Sequence, residues 1–440
     1  MAFDRFHDGA HASRMRQRPV VLLALVVGVV AIVTVVAVAG LGVLGGDTPA
    51  GPTGGSTGGS TTAEPTATPR PTARPIPGHE VYGYIPYWEM DSGIASHVAD
   101  TDLSTIALFS VTVRRDGTIN TSARGYKRIT DTVGKRLVRE AHDRGVRIEV
   151  VFSSFGAARN ERFFGGPIET QDTAIDALVA FAKERSFDGI NVDVETLDRS
   201  LVPAYGAFVG RLRDRLRSEI PKGQVSAATG ANVIGSEMAA AAAGAGADRI
   251  FLMGYDYHWS GSDPGASAPL DRRDGDEKDL VWSLDMYEAI GVPVERTLLG
   301  LPFYGMAWPV SGPEIGAPRT GRGSAWVPAD NRAFLRKPPV ELQRDEIEAV
   351  DVYIVPTDPV AAQPTSTPEP GASVDPGASP SAGAWRAIYV DSPETLTPKM
   401  RLANDRGLAG VGFWAIGMER GLPGYQALID AFRRDELAAP

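Results

Sequence analysis

The chain has 440 residues, of which 43% are hydrophobic and 22% are charged, and its formal net charge is −10. This composition is typical of a globular protein with a large core. An acidic chain without a run of lysine and arginine lacks the basic face that phosphate binding needs, so we expect no nucleic-acid partner. There is no cysteine, which excludes disulfides and thiolate ligands. No two histidines beyond the N-terminus have the spacing of a zinc site, so we expect no metal and no cofactor.

An uncharged apolar segment at residues 20–44 is long enough to cross a membrane, since about 20 such residues suffice for a spanning helix. Three arginines between residues 14 and 18 directly precede it, and such charges tend to stay in the cytoplasm. The sequence therefore predicts a cytoplasmic N-terminus at 1–19 and a single-pass transmembrane helix at 20–44, with the rest of the chain extracytoplasmic at the cell membrane. The alternative is secretion after signal cleavage, because Ala37-Val38-Ala39 has the form of a cleavage site. The apolar cores of signal peptides are usually shorter than this segment.

Two segments rich in glycine, serine, threonine and proline contain almost nothing that could be buried. Residues 45–77 are predicted to be a flexible and partly extended linker. Residues 356–383 interrupt the folded part, and we interpret them as a disordered insertion in a surface loop. The folded domain is therefore predicted to cover residues 78–435.

Short β-rich runs alternate with longer amphipathic runs through this domain, which indicates βα units and a parallel sheet. Strands are predicted at 81–85, 105–110, 147–152, 189–194, 224–228, 249–253, 297–301 and 410–414. Helices are predicted at 131–144, 170–185, 202–220, 236–243, 279–290, 398–405 and 425–434. Eight such strands indicate an α/β protein with a (β/α)8 TIM barrel, in which function lies at the carboxyl ends of the strands.

Polar and aromatic residues cluster at those strand ends: Tyr87, Trp88, Ser153, Ser154, Asp193, Glu195, Tyr255, Asp256, Tyr304 and Trp414. In the segment from Asp188 to Glu195 (DGINVDVE), the side chains at 191, 193 and 195 share one face of a strand because successive side chains alternate. Polar residues inside a barrel cost stability unless they bond to one another. Their presence on this strand therefore indicates a functional site. The alternative is a solvated edge strand with alternating polarity.

This segment resembles the DxxDxDxE signature of glycoside hydrolase family 18, the chitinase-like enzymes. Further segments resemble that family in the same order along residues 78–435: Gly83-Tyr84-Ile85-Pro86-Tyr87-Trp88, Ser153-Ser154-Phe155-Gly156, Met253-Gly254-Tyr255-Asp256, Leu301-Pro302-Phe303-Tyr304-Gly305 and Phe413-Trp414. Two positions depart from the pattern. Ala157 stands where the family has a second glycine, and Asn191 stands where chitinases have an aspartate. The asparagine is more similar to the spore-cortex and peptidoglycan-associated bacterial branch of the family.

The resemblance implies a retaining, substrate-assisted hydrolysis of β-1,4-linked glycans that contain N-acetylglucosamine. Glu195 would be the general acid and base. Asp193 would orient the acetamido group of the substrate, and Tyr255 would donate a hydrogen bond to its carbonyl oxygen. Substrate contacts are expected from Asn191, Met253, Asp256, Trp414, Tyr84, Tyr304 and Ser153. We expect a monomer.

Several alternatives remain open from the sequence. Trp414, Tyr84 and Tyr304 could pack in the core, and Ser153 could be a structural hydrogen-bonding group. The whole domain could be a non-catalytic chitinase-like carbohydrate-binding protein, or a structural or signalling ectodomain, since a fold alone does not imply a function. The polymer could be chitin, peptidoglycan or the core of an N-glycan.

Overall fold

The computed structural model describes residues 79–357 and 384–437. The predicted cytoplasmic segment 1–19, transmembrane helix 20–44 and linker 45–77 lie outside the described residues, as does nearly all of the predicted insertion at 356–383. Among the residues that are described, no helix combines the length and the apolar character needed to span a membrane.

In the described residues the strands are, in chain order, β1 (Glu80–Pro86), β2 (Thr105–Val111), β3 (Arg147–Phe155), β4 (Gly189–Glu195), β5 (Gln224–Gly230), β6 (Arg249–Met253), β7 (Thr297–Pro302), β8 (Gly305–Val310), β9 (Ser324–Trp326), β10 (Gln343–Asp345), β11 (Val350–Pro356), β12 (Trp385–Val390) and β13 (Gly410–Trp414). The α-helices are α1 (Ile94–Ala99), α2 (Arg124–Thr130), α3 (Thr132–Asp143), α4 (Ala157–Phe164), α5 (Ile168–Glu184), α6 (Val202–Glu219), α7 (Val233–Gly244), α8 (Leu280–Ala289), α9 (Arg332–Arg336), α10 (Pro393–Asp405) and α11 (Tyr425–Arg433).

The eight predicted strands close into a parallel barrel in the order β1-β13-β7-β6-β5-β4-β3-β2. This confirms the prediction of an α/β barrel. Successive side chains alternate between the inside of the barrel and the helices. Ile190, Val192 and Val194 of β4 are buried in the main core with the helices, whereas the intervening side chains face inward. The sequence did not predict the short helices α1, α2, α4 and α9.

Aromatic and aliphatic side chains form a buried cluster inside the barrel. This inner cluster consists of Tyr82, Tyr84, Ala107, Phe109, Val151, Ala228, Phe251 and Leu298. Glycines on β7 and β13 leave the space that one of these rings needs. A Cβ atom at Gly300 or Gly412 would lie 2.3 Å from a ring atom of Phe251. Side chains at these two positions would therefore displace the ring from the barrel axis.

A second sheet follows β7, and the sequence did not predict it. Its five strands lie between β7 and β13 in the sequence. They pair in antiparallel fashion in the order β10-β11-β12-β8-β9. The insertion was predicted to lie in a surface loop. The described residues at its two ends, Pro356 and Trp385, are partners in the β11–β12 ladder. The Thr357 N–H also donates to the Ala384 carbonyl over 2.9 Å. The segment between them therefore connects two neighbouring strands of this sheet.

The second sheet holds the loop between β6 and α8, which follows the predicted site residues. The Arg273 guanidinium donates to both carboxylate oxygens of the buried Asp345, over 2.5 and 2.6 Å. Glu348 is also buried, and it accepts from the Ala266 N–H over 2.6 Å and lies 3.4 Å from the imidazole of His258. Bidentate and buried pairs of this kind fix geometry better than single surface pairs do. The β6–α8 loop is thus fastened to the inserted sheet.

Replacement of residues 358–383 by a short Gly/Ser turn should leave the melting temperature nearly unchanged. The two ends already pair as neighbours, and a shorter loop costs slightly less closure entropy. Differential scanning calorimetry of the full chain and the shortened chain measures this. A loss of several degrees would show that the segment packs on the folded domain.

Candidate active site

A cleft of about 510 Å3 opens at the carboxyl ends of the barrel strands, and four of the predicted site residues line it. Its lining includes Glu195 from the end of β4, Met253 from the end of β6, and Tyr255 and Asp256 from the loop that follows β6. Trp414 ends β13, and its ring centroid lies 5.5 Å from that of Tyr84. Strands that are distant in sequence therefore contribute to one site.

Glu195 is the last residue of β4 and is exposed to the cleft, whereas its neighbour on the same face, Asp193, is buried. Although the Glu195 side chain reaches solvent, protein atoms surround it on the other sides. This desolvation, followed by the charge of Asp256, raises the pKa of Glu195 to about 7. A carboxyl group with this pKa carries a proton in a large fraction of molecules at neutral pH. It can therefore donate one.

The buried Asp193 interacts closely with Glu195. Burial, followed by the charge of Glu195, raises the pKa of Asp193 well above its usual value. Its Oδ1 atom has no hydrogen-bond partner, and neither has the Oδ1 atom of Asn191, the preceding inward-facing residue. Because the two carboxyl groups repel each other when both are ionised, the pair favours a state that keeps at least one proton.

Two hydrogen bonds that begin at the neighbouring strand β3 position the backbone of Glu195. The Ser154 hydroxyl donates to the Asn160 side-chain carbonyl over 2.7 Å. The Asn160 amide donates in turn to the Glu195 carbonyl oxygen over 2.6 Å. Both Ser154 and Asn160 are buried, so the end of β4 is held rigidly. Asn160 lies on α4, which the sequence did not predict, and its part in the site was missed.

Two tyrosines and Asp256 form the wall after β6 and β7. The Tyr304 hydroxyl donates to Asp256, and the rings of Tyr255 and Tyr304 meet edge to face with centroids 6.2 Å apart. Asp256 has a left-handed backbone with φ of 62°, and its N–H donates to the Ser267 hydroxyl over 3.1 Å. Aspartate tolerates this conformation better than most residues. Burial raises the pKa of the Tyr255 phenol, so this group remains a hydrogen-bond donor.

Aromatic rings pack around Trp414 at the end of β13. The centroid of the Trp414 ring lies 4.9 Å from that of Phe109 and 6.3 Å from that of Trp88, and both pairs meet edge to face. Phe109 stacks in turn on Phe155, whose side chain is 38% exposed. Sequence reasoning did not select Phe109, because it lies within the continuous apolar run of β2 and nothing in that run shows which side chains face inward.

Five of the predicted substrate contacts do not line the cleft: Asn191, Tyr84, Ser153, Tyr304 and Trp414. Asn191 and Tyr84 are buried in the barrel interior. Ser153 is also buried, and its hydroxyl lies 2.7 Å from that of Ser110. Their contact with substrate stays a prediction. Among residues 79–357 and 384–437, no group of three or more histidine or acidic side chains could hold a metal ion.

Comparison with known proteins identifies a family. The family model for glycosyl hydrolases family 18 matches residues 80–419. Human chitinase-3-like protein 2 is 22% identical over 178 residues, which cover 37% of this chain and 46% of that protein. The chain thus matches less than half the length of this curated relative.

Two solved structures share the fold. The Bacillus cereus spore cortex-lytic enzyme SleL has a TM-score of 0.61 at 18% identity, with 81% of this chain and 74% of that chain covered. The Ostrinia furnacalis Group IV chitinase in complex with allosamidin has a TM-score of 0.65 at 18% identity, with 82% and 100% covered.

Asp193→Asn should stabilise the fold at neutral and alkaline pH. The folded-state pKa of Asp193 is raised above its unfolded value, so the residue costs stability above the unfolded pKa, and this cost increases with pH. We expect the melting temperature to rise by roughly 2–4 °C at pH 8, the equivalent of about 1 kcal/mol, and to change little at pH 4.

The matched control is Asp405→Asn at the exposed end of α10, which should change the melting temperature little at either pH. An Asp193→Asn protein that is less stable than the wild type at pH 8 would show that the Asp193 carboxylate does not destabilise the folded state.

Proposed function

Because the chain belongs to glycosyl hydrolases family 18, as the match over residues 80–419 shows, we propose that it hydrolyses β-1,4-linked glycans that contain N-acetylglucosamine. The family resemblance predicted from the strand motifs is confirmed. One observation carries the proposal: Glu195, with a pKa of about 7, stands in the cleft beside the buried Asp193. A proton donor and a second carboxyl group that can orient the substrate are thus adjacent.

The placement of the two carboxyl groups supports a substrate-assisted mechanism with retention of configuration. Glycosidases that use two protein carboxylates place them on opposite sides of the scissile bond. Asp193 and Glu195 lie instead on the same face of one strand, two residues apart. In this arrangement the nucleophile comes from the substrate, whose acetamido oxygen attacks the anomeric carbon while Glu195 protonates the leaving oxygen.

The other residues of the cleft stabilise this step. Asp193 binds the acetamido N–H and stabilises the positive charge that develops in the oxazolinium-like intermediate. The Tyr255 phenol donates to the acetamido oxygen. Trp414 provides an apolar surface on which the sugar ring stacks. Glu195, now ionised, then takes a proton from the incoming water while the water oxygen bonds to the anomeric carbon and the bond from that carbon to the acetamido oxygen breaks, which completes hydrolysis.

The substrate class is of the chitin or peptidoglycan type. The structural relatives include a chitinase and a spore cortex-lytic enzyme, which favours both polymers. Asn191 favours the peptidoglycan-associated branch. The non-catalytic binding protein remains the second candidate, and the presence of Glu195, Asp193 and Tyr255 argues against it.

We also propose that the barrel acts outside the cytoplasm, anchored by residues 20–44, because polymers of this kind lie outside the cell membrane. Protease added to intact cells should release the barrel by cleavage at residues 45–77. A barrel that is fully protected from protease would contradict this location.

Glu195→Gln should reduce turnover by about 10²–10⁴-fold, the contribution typical of general acid catalysis, while the fold and glycan binding survive. The amide keeps the shape of the side chain and removes the transferable proton. Release of a chromophore from an N-acetylglucosamine oligomer measures turnover. The control is Glu295→Gln, which lies at the opposite end of the barrel, before β7.

Two outcomes of that assay would count against the proposal. Turnover by Glu195→Gln equal to that of the wild type would remove Glu195 as the acid. Absence of turnover by the wild type on chitin and peptidoglycan fragments, with binding retained, would establish the carbohydrate-binding alternative.

Activity should fall as the pH rises through about 7. Glu195 must be protonated to act as the acid, and its raised pKa sets where the proton is lost. A profile of kcat/KM between pH 4 and pH 9 measures this alkaline limb. An alkaline limb more than two pH units higher would assign the proton donor to another group.

A further inference from the structure

A carboxyl group that the proposed mechanism does not use lies deep in the barrel. Glu149, near the start of β3, is 1% exposed, and its side chain enters the barrel interior. Gly189, its partner on β4, leaves the necessary room, since a Cβ atom there would lie 3.0 Å from Glu149 Oε1. A charged side chain at the centre of a barrel needs compensation from hydrogen-bond donors.

Glu149 and the residues around it form a chain of hydrogen bonds that we call the floor network: Tyr82, Glu149, Ser226 and Asn191. The Tyr82 hydroxyl donates to Glu149 Oε2 over 2.7 Å, and the Ser226 hydroxyl donates to the same oxygen over 2.5 Å. The Asn191 side-chain N–H donates to Ser226 Oγ over 2.8 Å. The network therefore links the floor of the barrel to the strand that carries Asp193.

The direction of this chain follows from donor and acceptor chemistry. An ionised carboxylate only accepts hydrogen bonds, and a serine hydroxyl has one proton to give. Because Ser226 gives that proton to Glu149, it can only accept from Asn191. The NH2 group of Asn191 must then face Ser226, and its Oδ1 atom is turned away from it. This oxygen is buried without a donor, as is Oδ1 of Asp193, the next inward-facing residue.

We propose that Glu149 is a positioning residue for the active site: through Ser226 it orients the Asn191 amide so that an oxygen faces Asp193, which therefore keeps a proton in the ligand-free protein. The name positioning residue rests on the role that the proposed function gives to Asp193. The protonation of Asp193 can be measured without any turnover.

The groups that face Glu149 are compatible with an ionised state at neutral pH. Burial raises its pKa to about 6, while the hydrogen bonds from Ser226 and Tyr82 oppose this rise. The other titratable groups around it are Tyr84 on β1, Arg147 on β3, and Asp248 and Arg249 at the start of β6, where Arg249 pairs with Glu80. The carboxylate at the floor is therefore available to hold the Ser226 proton.

Burial and the charge of Glu195 on the same strand face favour the protonated form of Asp193. The phenols of Tyr84, Tyr205 and Tyr255, on β1, α6 and the loop after β6, also lie near Asp193, whose charge adds to the rise that burial causes in their pKa. An amide oxygen from Asn191 accepts a hydrogen bond from a protonated carboxyl group and repels an ionised one. An amide NH2 in its place would stabilise the ionised form and lower the pKa of Asp193.

The test is a pH titration of aspartate side chains by ¹³C NMR in the ligand-free full chain, with the Asp193 signal identified by its loss in Asp193→Asn. In Ser226→Ala the Asn191 amide loses its acceptor and can turn its NH2 group toward Asp193. In Glu149→Gln the charge that fixes the Ser226 proton is removed. We expect the pKa of Asp193 to fall by about one unit in each variant.

The control is Ser236→Ala, which removes a buried hydroxyl on α7 that donates only to the Val233 carbonyl. It should leave the Asp193 titration unchanged. Unshifted Asp193 titrations in both variants, or a wild-type Asp193 with an ordinary pKa, would overturn the proposal. If Glu149→Gln does not fold, the smaller Ser226→Ala change decides alone.

The titration separates this inference from the proposed function. A wild-type protein that cleaves no glycan, but whose Asp193 pKa falls in Ser226→Ala, would refute the function and keep the positioning role. If glycans are cleaved, the acid limb of kcat/KM should move to lower pH in Ser226→Ala, and the alkaline limb should not.

Discussion

The burial of Asp193 beside Glu195 on the inward face of one strand is the constraint on which the rest of the structure depends. Residues two apart on a strand have Cα atoms only about 6.6 Å apart, so the charges of the two carboxylates interact strongly. Burial raises the pKa of both groups, and the charge of Glu195 adds to this rise at Asp193 while the charge of Asp256 adds to it at Glu195. A proton therefore stays at the site near neutral pH. The proposed substrate-assisted mechanism uses this pair on one strand, with the nucleophile supplied by the substrate.

The surrounding structure maintains this costly pair. Aromatic side chains close the barrel below and beside it, which lowers the local dielectric and strengthens each electrostatic interaction. Asn160 holds the backbone of Glu195, and the inserted sheet holds the loop after β6 through Asp345 and Glu348. Destabilisation is thus concentrated at the carboxyl ends of the strands, while the aliphatic layer between strands and helices stabilises the fold.

The barrel and the residues of the site could be predicted from the sequence because the barrel strands are short apolar runs that end in polar and aromatic residues. The polar alternation of Asn191, Asp193 and Glu195 identified the inward face. The inserted sheet was missed because its short strands pair with partners across long segments, which local patterns do not reveal. Glu149 was also missed, although a lone acidic residue within the apolar run of β3 was the available signal. Its partners Tyr82 and Ser226 become visible only when the strands close.

The most direct test of this account compares the hydrolysis of two glycosides that share a leaving group and differ only in the 2-acetamido group. The account predicts that kcat/KM is high for the N-acetylglucosamine oligomer, with a product of retained β configuration, and that the matching glucose oligomer is not cleaved. Comparable cleavage of both oligomers would contradict it, because the nucleophile would then belong to the protein.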